Sequence, residues 1–133
     1  MSEEIIGVVS RGMDAFNRRE LAAALALWSP DGELDWSRSN GPLKGVYRGH
    51  RELEAFWNEF WSTFETVELE MHAVEQIGGS QVIVPNTAHM LGRDGIEVIA
   101  KSAFLFTVED GLTIRLEMFQ EEAEALEATR LRE

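Results

Sequence analysis

The spacing of apolar residues changes near Thr66, and no other feature of the sequence constrains the fold as strongly. Residues 3–17 and 53–64 place apolar side chains three or four positions apart, which is typical of one buried helical face. From Thr66 onward the spacing becomes two, which is typical of a half-buried strand. The sequence therefore predicts helices in the first half and a sheet in the second, which together form an α+β domain.

Shorter elements complete this plan. A second helix is predicted over residues 20–28 and a short strand over 33–37. Glycine-containing turns divide the second half into a meander, with further strands predicted over residues 81–91, 96–108 and 112–120. The tail after Gln120 is helical by propensity but too short to be stable alone, so it should fray or dock. Because neither a linker nor a repeat divides the chain, residues 1–133 are predicted to form one domain.

Composition argues against several classes of function. The chain has 12 Lys and Arg against 24 Asp and Glu, and a net charge of −12 disfavours nucleic acid and anionic membranes as partners. It has no cysteine, so disulfides, thiolate nucleophiles and cysteine-ligated zinc are excluded. No metal site is expected, since the three histidines fall on different elements, and no phosphate or dinucleotide motif indicates a cofactor. The acidic first residues do not resemble a signal peptide, so a cytoplasmic location is expected.

Three segments resemble the SnoaL-like polyketide cyclases, ketosteroid isomerases and nuclear-transport-factor-2-like proteins. They are LWSPDGELDW, GVYRGHRELEAFW and VEDGLTIRLEMFQEEAEALEA, within a resemblance that spans residues 3–128. The resemblance implies a curved antiparallel sheet wrapped on helices, forming a conical barrel with an internal pocket. It also implies a homodimer through the convex sheet face, and strands that are apolar on both faces need such a second cover. The same fold hosts isomerases, cyclases, hydrolases and pure binders.

The residues of ketosteroid isomerases do not carry over to this sequence. By resemblance, the position of their catalytic base falls on Trp36, and Asp35 lies one residue earlier, on the opposite face of the strand. The oxyanion-hole tyrosine maps near Gly12, and the second oxyanion acid maps to Ser102. Steroid-type enolisation needs a base and strong donors to the oxyanion, so this reaction is disfavoured.

Arg115 and Glu117 are the leading candidates for catalysis. They share one face of the last strand with Thr113 and Phe119, and this face would line the cavity if the apolar face packs away from it. The resemblance supports that choice, since it implies an inward aromatic at Phe119. Under this hypothesis, Glu117→Gln would abolish turnover and leave melting nearly unchanged. The alternative is a partly solvated ion pair that contributes less than about 1 kcal/mol.

His89 and Asp35 complete the set of candidate catalytic residues. Pairing through the Asp94-Gly95 turn would place His89 opposite Ala100 and near Ser102. On a concave face His89 would then act as a base or a donor. The alternative is an edge or interface histidine that is hydrogen-bonded to the backbone.

The candidate ligand-binding residues are mostly aromatic, as in other apolar pockets with few polar anchors. They are Trp36, Tyr47, Phe56, Trp57, Phe60, Ser102 and Phe119. Core packing is the alternative role for most of these rings. Two functions therefore stay open, both for a small hydrophobic molecule. One is a cofactor-independent acid–base enzyme of cyclase, isomerase or hydration type, and the other is a non-catalytic binding or dimeric interaction module. Charged residues inside the cavity would favour the enzyme, whereas a lining of apolar rings would favour the binder.

Overall fold

A computed structural model describes residues 2–41 and 43–131 of the chain. The helices are α1 (Ser2–Asn17), α2 (Leu21–Leu25), α3 (Gly49–Thr63) and α4 (Glu122–Leu131). The strands are β1 (Trp28–Asp35), β2 (Val46–Arg48), β3 (Phe64–Met71), β4 (Glu75–Ile77), β5 (Gln81–Gly92), β6 (Glu97–Glu109) and β7 (Leu112–Phe119). The predicted α+β class is confirmed. No helix in the described ranges is long and apolar enough to cross a membrane.

The strands form one curved, unclosed sheet in the order β2-β1-β7-β6-β5-β3, and β4 pairs with one end of β5. Neighbouring strands are antiparallel except β1 and β7, which run parallel with Asp35 beside Glu117. The prediction of an antiparallel sheet is therefore correct for every pair but this one. These two strands come from opposite ends of the chain, so no hairpin dictates their relative direction.

Element boundaries differ most from prediction around the second helix. It ends at Leu25, and β1 begins at Trp28, five residues before the predicted start at residue 33. The reason is that the Thr113 amide donates a hydrogen bond to the Leu27 carbonyl at 2.8 Å, which brings this segment into the sheet beside β7. Strands β2 and β4, of three residues each, are too short to produce a periodic pattern.

Helices α1 and α3 cover the concave face of the sheet. The long aromatic stripe of α3 buries Leu53, Phe56, Trp57 and Trp61, as its spacing predicts. At the end of α1, the Asn17 side chain donates to the Leu69 carbonyl at 2.9 Å and accepts from its amide at 2.8 Å. This double hydrogen bond fixes the end of the helix against β3.

The convex face of the sheet is partly covered by α4. Ala125 of this helix is fully buried, and it packs with Ile83, Ala103, Leu105 and Phe119 of the sheet. The C-terminal tail therefore docks, the second of the two outcomes predicted for it. Helix α4 therefore covers part of the apolar convex face from within the same chain.

Candidate functional site

An internal cavity of about 420 Å³ lies between the helices and the concave face of the sheet. Its lining is mainly apolar. The helices contribute Val8, Val9, Met13, Phe16, Phe56, Trp57 and Phe60, and the sheet contributes Leu34, Ala88, Met90, Phe104, Phe106, Leu116 and Met118. Within the described part of the chain, Lys101 is the only lining residue with an ionisable side chain.

The mouth of the cavity is marked by lining residues that are also exposed to solvent. These are Asn40 and Gly41 in the loop after β1, Thr63 at the end of α3, Val98, Ala100 and Lys101 in the first half of β6, and Gln120 after β7. The cavity is therefore open to solvent at these positions.

Trp36 is central to the aromatic wall. Its ring centroid lies 5.4 Å from that of Phe56, 6.2 Å from that of Phe60 and 5.7 Å from that of Phe104. Trp57 also lines the cavity and meets Trp28 edge-on, with 6.0 Å between the centroids. The placement of Trp36, Phe56, Trp57 and Phe60 around the pocket thus agrees with the sequence prediction.

Two predicted pocket aromatics lie outside the lining. Tyr47 packs behind Phe56, with 4.8 Å between the centroids, and its hydroxyl donates to the Leu43 carbonyl at 2.6 Å. Burial raises the pKa of Tyr47 above its usual value. Phe119 lies on the convex face below α4, where the Arg38 guanidinium stands 4.1 Å from its ring centroid. The prediction that Phe119 faces the cavity is wrong.

One polar pair stands in the apolar lining. Asn86 of β5 and Ser102 of β6 are direct cross-strand neighbours, and the Ser102 hydroxyl donates to Asn86 Oδ1 at 3.3 Å. Asn86 is only 2% exposed, and its Nδ2 donates to the Val84 carbonyl at 3.1 Å. Ser102 was among the predicted pocket residues, whereas Asn86 was missed. The sequence could have indicated Asn86, because it is the polar residue on the face of β5 that otherwise carries Val82, Val84, Ala88 and Met90.

Arg115 and Glu117 lie on the convex face, so the predicted orientation of the last strand is wrong. Their neighbours Leu116 and Met118 line the cavity, and alternation along β7 turns Arg115 and Glu117 away from it. The Glu117 carboxylate is fully buried, with Arg115 Nη2 at 3.7 Å and Arg38 Nη2 at 3.8 Å from its Oε2. Arg115 and Glu117 are thus part of an ion cluster with Arg38 on the convex face of the sheet.

Asp35 belongs to the same cluster, which we call the outer charge cluster (Glu33, Asp35, Arg38, Arg48, Arg115 and Glu117). Its Oδ1 accepts hydrogen bonds from the Ser37 amide at 3.0 Å and the Ser37 hydroxyl at 2.5 Å. Burial alone would raise the pKa of Asp35, but the Ser37 hydrogen bonds and the positive charge of Arg38 outweigh it and hold the pKa below its usual value. Asp35, one of the predicted catalytic residues, therefore faces away from the cavity that Trp36 lines.

His89 also lies on the convex face, because its neighbours Ala88 and Met90 on β5 line the cavity. The hairpin before β6 is one residue longer than predicted. Gly92 pairs with Ile96 around a three-residue loop in which Gly95 has a φ of 87°, so His89 stands opposite Ile99 and Ala88 opposite Ala100. A shift of one residue exchanges the two faces of a strand. His89 Nε2 lies 2.9 Å from Glu70 Oε1, and this hydrogen bond is the main reason why the pKa of Glu70 is lowered.

The sequence matches the SnoaL-like domain family over residues 9–116. That match spans most of the chain, so the protein belongs to the SnoaL-like family. No curated protein matches it significantly.

Solved structures show the same fold at low sequence identity. An NTF2-like protein of unknown function from Burkholderia pseudomallei is 24% identical, with a TM-score of 0.78 over 93% of this chain and 95% of that one. A Mycobacterium tuberculosis protein in complex with estradiol-17β-hemisuccinate is 10% identical, with a TM-score of 0.79 over 90% and 95%. A Δ5-3-ketosteroid isomerase from Mycobacterium sp. is 15% identical, with a TM-score of 0.76 over 92% and 95%.

The isomerase positions inferred from the resemblance coincide with the cavity. Gly12, Trp36 and Ser102 all line it. The chain therefore presents a glycine, an indole and a hydroxyl where the resemblance places an oxyanion-hole donor, a base and an acid.

Proposed function

We propose that this SnoaL-like protein is a binding protein that holds a small, mainly apolar organic molecule in its internal cavity. The proposal rests on the distribution of side chains between the two faces of the sheet. Aromatic and aliphatic groups line the cavity, whereas Asp35, His89, Arg115 and Glu117 lie on the other face. A volume of about 420 Å³ falls within the range of pockets that enclose small organic ligands.

Asn86 and Ser102 provide hydrogen-bonding groups for one end of the proposed ligand. Asn86 Nδ2 carries two hydrogens, and one of them is donated to the Val84 carbonyl. The second hydrogen and the lone pairs of the Ser102 hydroxyl remain as partners for a ligand carbonyl or hydroxyl. We therefore expect a ligand with an apolar body and one such polar group, placed against Asn86 and Ser102.

One of the structural neighbours is consistent with this proposal. The Mycobacterium tuberculosis protein of the same fold was solved with estradiol-17β-hemisuccinate, a small organic molecule. The alternative of an acid–base enzyme receives less support, because no candidate catalytic residue proposed from the sequence faces the cavity. The ionisable lining residue, Lys101, stands at the exposed mouth.

The proposal can be tested with estradiol-17β-hemisuccinate and 1-anilinonaphthalene-8-sulfonate as probes. Trp28, Trp36 and Trp57 line the cavity, so probe binding should quench tryptophan fluorescence. Ser102→Ala and Asn86→Leu should each weaken binding of the estradiol ester by about threefold to tenfold, the effect of one lost hydrogen bond. His89→Ala, on the opposite face of β5, is the matched control and should bind as the wild type does.

Two results would overturn the proposal. The first is that neither probe binds at any concentration at which it is soluble. The second is that a substrate is found whose turnover is lost in Glu117→Gln or His89→Ala, because the acid–base groups would then act from the convex face.

A further inference from the structure

Strand β7 contains a bulge that turns a threonine toward the cavity. The β7 partners of two adjacent β6 residues, 107 and 108, are Arg115 and Thr113, which are two positions apart. Ile114 is therefore the extra residue of a β-bulge. One extra residue reverses the alternation of a strand, so Thr113 lines the cavity although Arg115, two positions later, does not.

The Thr113 side chain is buried, and its hydroxyl makes no hydrogen bond to any other residue that the structure describes. Its backbone amide is used by the Leu27 carbonyl, and its neighbour on β1, Trp28, is an apolar residue of the same cavity lining. A buried hydroxyl without a partner is unfavourable. A polar atom of a ligand in the cavity would supply that partner.

Thr113 and the Asn86–Ser102 pair lie at opposite ends of the cavity. Val108, the partner of Thr113 on β6, is six residues beyond Ser102, and six residues of a strand span about 20 Å. Ser102 directly follows the exposed lining residue Lys101, whereas Val108 and Thr113 are only 2% and 3% exposed. The polar pair is thus near the mouth, and the threonine is at the inner end.

We propose that Thr113 is a second polar anchor, and that the ligand is an elongated molecule with a hydrogen-bonding oxygen at each end of an apolar body. The inner oxygen, of a hydroxyl or a carbonyl, would bond to the Thr113 hydroxyl, which can both donate and accept. The outer oxygen would bond to Asn86 and Ser102. This inference rests on the proposed function, which by itself requires only one polar end.

Two esters that differ by one hydroxyl test whether both ends are used. Estradiol-17β-hemisuccinate has oxygen atoms at both ends of its steroid body, and the same ester without the 3-hydroxyl has them at one end only. With the first ester, Thr113→Val and Ser102→Ala should each weaken binding by about threefold to tenfold, measured by tryptophan quenching. The double variant should show the product of the two effects, because the two sites are too far apart to interact.

With the second ester, the double variant should weaken binding by no more than about threefold to tenfold, because in either orientation this ligand reaches one anchor only. The matched control is Thr107→Val, on the face of β6 away from the cavity, where the Gln81 side chain donates to the Thr107 hydroxyl at 3.3 Å. This variant should bind both esters as the wild type does.

Urea unfolding of the ligand-free protein separates a binding role of Thr113 from a structural one. The midpoint of Thr113→Val should be at or above that of the wild type, because a methyl group replaces a hydroxyl without a partner. A lower midpoint would overturn the inference. It would also be overturned, with the proposed function intact, if Ser102→Ala weakened binding of the first ester and Thr113→Val did not. If neither ester bound the wild-type protein, the proposed function itself would fail, and the second anchor with it.

Discussion

The two faces of the sheet differ in what they bury. The concave face is mainly apolar around a cavity and carries the cross-strand polar pair Asn86 and Ser102. The convex face holds the outer charge cluster at one end and the His89–Glu70 pair at the other. Successive side chains along a strand point to opposite faces, and every residue predicted from the sequence to be catalytic lies on the face away from the cavity. Under the proposed function, the concave face binds the ligand and the convex face stabilises the sheet, and substitutions on both faces test this division.

The largest effect is expected for Glu117→Ala. The change removes the buried carboxylate between Arg38 and Arg115 and leaves two guanidinium groups facing each other. Their side chains are 35% and 39% exposed, so water reduces the penalty below that of a fully buried pair. We expect a loss of about 2–4 kcal/mol in the free energy of unfolding, measured by urea denaturation, and unchanged probe binding.

The free energy of unfolding of Glu117→Gln should lie between the values for the wild type and Glu117→Ala, since the amide oxygen still accepts hydrogen bonds from arginine. The catalytic hypothesis drawn from the sequence expected the reverse: lost turnover with melting nearly unchanged. An unchanged urea midpoint together with impaired probe binding or turnover would return Glu117 to the functional site.

The next largest effect is expected for Ala88→Phe on the concave face. Its phenyl ring would enter the cavity beside Met90 and occupy space that a ligand needs. We expect probe affinity to fall about a hundredfold, or about 2.7 kcal/mol, while the unfolding free energy changes by less than about 1.5 kcal/mol. The control is His89→Phe, one residue further on and on the opposite face. If His89→Phe weakened binding as strongly, the two faces would not be functionally distinct.

The sequence predicts the class of fold well because long periodic segments dominate it. The stripe of α3 and the alternation after Thr66 each involve many residues, so no single irregularity can obscure them. Orientation within the sheet is less well determined, because it depends on single residues. One additional loop residue before β6 places His89 opposite Ile99 instead of Ala100, and alternation along β5 turns it away from the cavity. Strand β7 has one face toward the cavity, and α4 packs on Phe119 of the other face. The pattern of β7 alone does not distinguish between these two covers.

A smaller effect, confined to acid, is expected for Asp35→Asn. The folded-state pKa of Asp35 lies below the unfolded value of 3.8, since the Ser37 hydrogen bonds favour the carboxylate despite its burial. A depressed pKa adds stability above the unfolded pKa and loses it as the pH falls through the folded value. The advantage of wild type over Asp35→Asn should thus be constant above about pH 5 and shrink below pH 3.8. Urea titrations across this range measure it, and an advantage that grows in acid would contradict the assignment.

The smallest effect is expected for His89→Ala, which most directly sharpens the contrast between the faces. Its ring meets Glu70 at 2.9 Å, but the two side chains are 40% and 56% exposed, so solvent competes for both partners. We expect the unfolding midpoint and the probe affinity to stay at wild-type values, with a near-normal pKa for Glu70 as the one measurable change. NMR titration of the Glu70 carboxyl checks that shift. A His89→Ala protein that folds and moves the Glu70 pKa but loses ligand binding would show that the convex face communicates with the cavity through β5.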